Sequence, residues 1–193
     1  DEAMPFPLSE DYSTILEKAR GCDAALIGPG LGRAPETEEL VLSLLADLEI
    51  PVVLDADGIN ALAGHIDVLD RRQAPTVLTP HEGEFSRLTG CALPVKDRLS
   101  AARDFARDHA SGNPGMAKGG SGDVLAGMIA ALLGQKHLRQ ERDNTPELAA
   151  AAVCFHGLAG DLCARKFGEY AMLPSDLIDT LPEILRKWTE EES

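Results

Sequence analysis

Gly112-Asn113-Pro114-Gly115-Met116-Ala117-Lys118-Gly119-Gly120-Ser121-Gly122-Asp123-Val124-Leu125-Ala126-Gly127 passes from a glycine-dense loop straight into an apolar helix, with a carboxylate at the joint. Such a joint suits phosphate. Glycines let backbone amides come close to a ligand without side-chain obstruction. The first turn of the following helix adds unpaired N–H groups and the positive end of its dipole. Asp123 at that spot would repel the anion it faces, which is odd for a purely structural loop and sensible for a base acting beside a phosphoryl group. The bland alternative is a glycine loop with Asp123 as an ordinary first-turn helix acid.

Upstream of this stretch, three short apolar runs each end in a polar or glycine-bearing turn. Ala24-Ala25-Leu26-Ile27 stops at Gly28-Pro29-Gly30, Pro51-Val52-Val53-Leu54 stops at Asp55, and Thr76-Val77-Leu78 stops at Thr79-Pro80-His81. These are the marks of buried parallel strands whose carboxyl ends face a ligand. Pro35 opens a helix with Leu40, Leu44, Leu45 and Leu48 as its apolar stripe, and 82–88 reads as a short helix. Three strand-loop-helix units in series predict a parallel sheet flanked by helices. Helical periodicity fills 97–109, 122–135, 146–167 and 174–188, and Glu190-Glu191-Glu192 is expected to be a disordered tail.

A chain of 193 residues fits one domain. Its 44% hydrophobic and 26% charged residues are those of a soluble globular protein. With 32 acidic against 18 basic residues, the net charge of −14 disfavours nucleic acid and anionic lipid as partners. A phosphate-bearing ligand must then be held by local devices. No apolar stretch is expected to span a membrane. Cys22, Cys91, Cys154 and Cys163 lack metal-site spacing and read as free, buried thiols of a reducing compartment. His65, His109 and His137 are scattered and read as surface residues.

Five segments together resemble the ADP/ATP-dependent NAD(P)H-hydrate dehydratases of the ribokinase-like superfamily. Besides the phosphate loop they are Gly28-Pro29-Gly30-Leu31-Gly32, Val53-Leu54-Asp55-Ala56-Asp57-Gly58-Ile59-Asn60, Leu78-Thr79-Pro80-His81-Glu82-Gly83-Glu84-Phe85 and His156-Gly157-Leu158-Ala159-Gly160-Asp161, in the expected order. The resemblance implies a three-layer α/β/α fold with a mostly parallel central sheet. It also implies a cytoplasmic enzyme that restores NADH or NADPH from the hydrated, damaged cofactor at the expense of ADP or ATP with Mg²⁺. Asp123 would be the catalytic base and a substrate contact, Gly30 and His81 would contact the hydrated dinucleotide, and Gly119, Gly120, Ser121 and Gly122 would hold the nucleotide. A homo-oligomer, and fusion or pairing with a NAD(P)H-hydrate epimerase, are further expectations.

The residues alone leave several of these roles open. Gly30 could simply make a tight turn, and His81 could cap a helix. Glu82 and Glu84 could order Mg²⁺ or cap the same helix, while Asp55, Asp57 and Asn60 could orient substrate or do turn chemistry. Lys118 could meet a phosphate or stay solvated. His156 and Asp161, five apart on a helix, point to different faces and do not make a shared metal site. A small-molecule kinase of the hydroxyethylthiazole or hydroxymethylpyrimidine type would use the same loop and base, and a nucleotide-binding module without turnover would need only the loop. The dinucleotide-lining block around His81 favours the dehydratase.

One junction breaks the α/β pattern. The helix ending near Ala110 runs into Ser111-Gly112 with no strand to return the chain through the sheet. A segment of about 30 residues, the size of one supersecondary unit, is expected to be missing between Ala110 and Ser111, along with an N-terminal part before Asp1. The resemblance implies that the internal segment carries a Lys-Gly turn on the nucleotide.

Overall fold

The computed structural model describes residues 11–90, 120–138 and 144–191. The expected helix over 97–109, the junction at Ala110 and Ser111, Cys91, His109, Lys118 and Gly119 lie outside the described residues. The elements, in order, are α1 (Tyr12–Arg20), β1 (Ala25–Ile27), α2 (Pro35–Asp47), β2 (Val52–Leu54), α3 (Asp57–Leu62), α4 (Asp67–Asp70), β3 (Thr76–Leu78) and α5 (Glu82–Thr89). After them come α6 (Ser121–Gly134), a 3₁₀ turn (Lys136–Leu138), α7 (Thr145–Phe167) and α8 (Pro174–Glu191).

The strands pair in parallel in the order β1-β2-β3, with Ile27 beside Leu54 and Leu54 beside Leu78. Because side chains alternate along a strand, the sheet separates two cores. Ile27, Val52 and Leu54 face α2 and α3, where they bury Val41, Leu44, Leu45, Ile59 and Leu62. Leu26, Val53 and Val77 face the other way, onto Ala126, Ile129 and Leu133 of α6 and Ala152 of α7. The result is the expected three-layer α/β/α sandwich. A third cluster, Ala159, Cys163, Met172 and Leu177, ties α7 to α8.

Three expectations need correction. Helix α8 runs through Glu190 to Glu191, so these two acids extend a helix instead of forming a disordered tail. Helix α7 is long and apolar enough to cross a membrane by length and composition, which contradicts the expectation that no stretch qualifies. Ala152, Phe155, Ala159 and Cys163 on that helix are nonetheless buried within the fold. Of the cysteines described, all free, only Cys163 is buried; Cys22 is exposed on the turn after α1.

An arginine that the sequence did not single out fastens the α2 side of the sheet. Arg72 donates from Nη1 to the carbonyls of Leu45 and Leu48, the latter at 3.0 Å, from Nη2 to Ile50 at 3.1 Å, and from Nε to Thr76 Oγ1 at 2.9 Å. It thereby satisfies carbonyls left open at the end of α2 and joins them to the start of β3. Burial lowers its pKa from the ordinary arginine value. Arg72→Leu should destabilise the protein by about 2–4 kcal/mol, because several charge-assisted hydrogen bonds go at once. The urea midpoint checks this, and a loss below about 0.5 kcal/mol would mean that water replaces the guanidinium without penalty.

Candidate active site

At the carboxyl edge of the sheet the loops after β1 and β2 meet backbone to backbone. A Cβ on Gly28 would lie 1.7 Å from the Asp55 carbonyl oxygen, and one on Gly58 would lie 2.5 Å from that of Ile27. Only glycine permits this approach. Asp55 N–H donates to Ile27 at 3.1 Å, and the Thr79 hydroxyl donates to the buried Asp55 carboxylate at 2.8 Å, so all three strand ends are stapled together. Between the two aspartates Ala56 takes φ 48°, the only left-handed φ of a non-glycine among the described residues. A backbone of this kind costs about 1–3 kcal/mol and is typically retained near functional sites.

Asp57, the first residue of α3, reaches back to the β1 loop. Its carboxylate accepts from Gly32 N–H at 2.9 Å, Arg33 Nε at 3.2 Å and Asn60 Nδ2 at 3.4 Å. Desolvation pushes this carboxyl up, but the hydrogen bonds from Arg33, Gly32 and Asn60 outweigh it and hold the pKa below the usual carboxylate range. The glycine loop carrying Gly30 is therefore anchored at Gly32. Gly30 is exposed, with open space where a Cβ would stand.

His81 caps α5. Its Nδ1 accepts from Gly83 N–H at 2.9 Å and Glu84 N–H at 3.3 Å, while Glu84 Oε2 accepts from His81 N–H at 2.9 Å. This is a reciprocal capping box with histidine in the usual serine or threonine place. Since Nδ1 accepts, the proton of a neutral ring sits on Nε2, which lies 3.1 Å from Glu84 Oε1. Glu84, buried, is thus committed to the cap. His81 keeps about two-thirds of its side-chain surface exposed at the ligand edge.

Helix α6 lies on the opposite sheet face, and its ends fix its direction. Gly134, its last residue, is beside Asp23 and Ala24 at the start of β1, and Lys136 pairs with Asp23 at 2.7 Å. The carboxyl end of α6 therefore sits at the amino edge of the sheet. It follows that Gly120, Ser121, Gly122 and Asp123 stand at the carboxyl edge, with Gly28–Gly32, Asp55 and His81. Gly120 caps the helix at φ 92°. Gly122 and Asp123 are exposed, and among the described residues nothing lies within 4 Å of a Cβ placed on Gly122.

Ser121, buried, is held from behind by His156 of α7. Its carbonyl oxygen lies 2.9 Å from His156 Nε2 and its hydroxyl 3.2 Å from the same nitrogen. A carbonyl only accepts, so Nε2 carries the proton and the ring is the neutral Nε2–H tautomer. Burial lowers the His156 pKa from its ordinary value, partly opposed by the bond to the Ser121 carbonyl. Here the unfolded chain binds the proton more readily than the folded one, so stability rises with pH across the window between the two pKa values. We expect stability to be full above about 6.5, the unperturbed histidine value, and to fall as pH drops toward the lower folded value. His156→Gln should flatten that decline, as read from urea midpoints between pH 5 and 7; an unchanged slope would exclude His156 as its source. The helix position of His156 was legible in the sequence, but its contact 35 residues away was not.

Among the described residues no group of three or more His, Cys, Asp or Glu side chains gathers as a metal cage. A Mg²⁺ carried on nucleotide phosphates needs only one or two carboxylates from the protein and no cage of its own.

The sequence profile of the NAD(P)H-hydrate dehydratase family (Carb_kinase) matches residues 1–111 and 107–183. The chain belongs to this family. It is 42% identical to the bifunctional NAD(P)H-hydrate repair enzyme Nnr of Moorella thermoacetica, in an alignment taking in 95% of this chain and 38% of the relative. To the Escherichia coli enzyme of the same name it is 35% identical, over 100% of this chain and 41% of the relative. The chain thus spans about two-fifths of the length of these relatives. Among solved structures it resembles the ADP/ATP-dependent NAD(P)H-hydrate dehydratase of Bacillus subtilis, co-crystallized with ATP/Mg²⁺, at a TM-score of 0.66 and 28% identity, covering 89% of this chain and 71% of that one. A hypothetical protein of Streptococcus mutans gives a TM-score of 0.71 at 26% identity, covering 92% and 70%. The three-layer sandwich is the ribokinase-like fold of the dehydratases.

Proposed function

We propose that this chain dehydrates hydrated NADH and NADPH, using ADP or ATP with Mg²⁺. Family membership supports the substrate class. The observation that carries the chemistry is the amino end of α6, which brings exposed Asp123 to the sheet edge where Gly30 and His81 also stand.

In this reading the amides of Gly119, Gly120, Ser121 and Gly122 hold the phosphoryl group as negative charge builds on its oxygens. Asp123 takes the proton of the substrate's C6 hydroxyl as that oxygen attacks the terminal phosphorus, and the bond to the departing nucleotide breaks. The ring nitrogen's lone pair then expels the new phosphate from C6, and loss of the C5 proton restores the dihydropyridine. Mg²⁺, when bound, offsets phosphate charge. Gly30 and His81 line the dinucleotide; the His81 ring, held by the N–H groups of Gly83 and Glu84 and by the Glu84 carboxylate, keeps about two-thirds of its side-chain surface exposed toward the ligand edge.

Phosphate release separates this reading from a kinase of the same fold. With hydrated NADH and ATP, inorganic phosphate should appear in step with ADP; ADP with a stable phosphorylated product and no free phosphate would make the chain a kinase.

The missing internal segment, an epimerase partner, self-association and a cytoplasmic setting belong to the same proposal. The segment is supported by an alignment with the Escherichia coli relative that runs over 223 residues against the chain's 193, and by a family match in two stretches that meet at residues 107–111. An intact mass above that of the 193 residues is expected. The relatives' bifunctional name supports the epimerase. Exposed Tyr170, Leu173 and Ile178 near the start of α8 support self-association.

A further inference from the structure

Two arginines stand at the ligand edge, each anchored, among the described residues, through Nε alone. Arg33 Nε donates to Asp57 Oδ1 at 3.2 Å, and Arg87 Nε donates to Asn60 Oδ1 at 2.8 Å. Asp57 and Asn60 are themselves bonded through Nδ2 at 3.4 Å, so one polar chain, Arg33–Asp57–Asn60–Arg87, runs from the β1 loop across α3 to α5. Arg33 flanks Gly32 of the loop that carries Gly30. The Nη1 of Arg87 would lie 3.5 Å from a Cβ on Gly83, whose N–H the His81 ring caps. Both side chains are exposed, and their Nη hydrogens have no partner among the described residues.

A guanidinium held at Nε presents its Nη edge in a fixed direction, the arrangement that recognises phosphate oxygens. In a chain of net charge −14 such cations at a ligand edge favour an anion that the bulk of the molecule repels. The pair does not belong to the α6 anion site. Helices α3 and α5 pack on the face of Ile27 and Leu54, whereas α6 packs on the face of Leu26 and Val53. The edge therefore has two anion-holding devices, one on each side of the sheet. Phosphoryl transfer needs one of them; a substrate with its own phosphates would occupy the other while its hydroxyl lies between.

We propose that Arg33 and Arg87 form a subsite for the pyrophosphate of the dinucleotide substrate. The proposal rests on the dehydratase reading for its ligand, but binding can be tested without turnover. Calorimetry with NADH should give an affinity that falls about ten- to a hundredfold in Arg87→Gln and more in Arg33→Gln/Arg87→Gln, as charge-assisted hydrogen bonds are lost. Affinity for ATP and ADP should stay within about twofold of the parent.

Loosening of the glycine loop by loss of the Asp57 contact is distinguished by substrate truncation. Hydrated reduced nicotinamide mononucleotide lacks the pyrophosphate, so the parent's preference in kcat/KM for hydrated NADH over it should shrink in the double variant, whereas a displaced loop would lower both alike. Equal losses on the two substrates, unchanged NADH affinity, or a loss confined to ATP and ADP would each overturn the subsite. NADH binding that depends on the arginines in a protein that never restores the hydrate would preserve the subsite and remove the dehydratase reading.

Discussion

Asp123→Asn is expected to leave ADP and ATP affinity nearly unchanged while turnover falls by about two to four powers of ten, the usual contribution of a positioned general base. The side chain is exposed in the first turn of α6, so its replacement disturbs no core contact. Asparagine keeps the shape and removes the basic oxygen, and it also removes a charge that opposes the incoming phosphate. Affinity should therefore hold or rise slightly as kcat falls. Single-turnover kinetics with hydrated NADH and ATP read the effect, and activity equal to the parent's would remove Asp123 from the mechanism.

Gly122→Val should produce the second large effect, and it separates binding from folding. At Gly120 a side chain would meet a left-handed φ and the Pro174 ring 3.2 Å away, so loss of binding there would be confounded with strain. Gly122 carries neither burden: its φ is unexceptional, and among the described residues nothing stands within 4 Å of its Cβ position. On folding grounds a helix should prefer almost any residue to glycine at this position, by up to about 1 kcal/mol. Valine should accordingly leave thermal stability equal or slightly higher. Nucleotide affinity should nevertheless drop on the order of a hundredfold, since its methyls would stand between the first-turn amides and the phosphate and remove about 3 kcal/mol of charge-assisted bonding. Unchanged affinity for ADP and ATP would show that the phosphate lies elsewhere.

The parts of this fold legible in the sequence are those that depend on local chemistry. Each strand was marked by an apolar run cut off by glycine, proline or aspartate, and α2 by Pro35 and its leucine stripe. The three-layer sandwich followed because parallel strands buried on both faces need helices on both sides. Helices α1, α3 and α4 were not foreseen. The first has no buried residue, and the second begins within two residues of the strand it follows, where turn chemistry and helix start look alike.

The site was legible as a set of residues and not as an arrangement. His81 offered both a cap and a ligand, and the backbone of Gly83 and Glu84 takes its Nδ1 side. Asp55, Asp57 and Asn60 read equally as turn residues or substrate contacts. In the fold Asp55 staples β2 to the loop after β3, whereas Asp57 and Asn60 carry Arg33 and Arg87. Those contacts join residues 24 to 27 positions apart, as the Ser121–His156 contact joins residues 35 apart, and no periodicity encodes such pairings.

The central claim is that the chain restores a reduced nicotinamide cofactor by cleaving a nucleotide. The most direct measurement is near-ultraviolet absorbance of hydrated NADH incubated with the protein and Mg²⁺, with ADP, ATP or no nucleotide. The account predicts that the dihydronicotinamide band returns only when a nucleotide is present and no longer returns when Asp123→Asn replaces the parent. A band that stays absent with both nucleotides, from protein whose intact mass proves the chain whole, would contradict it.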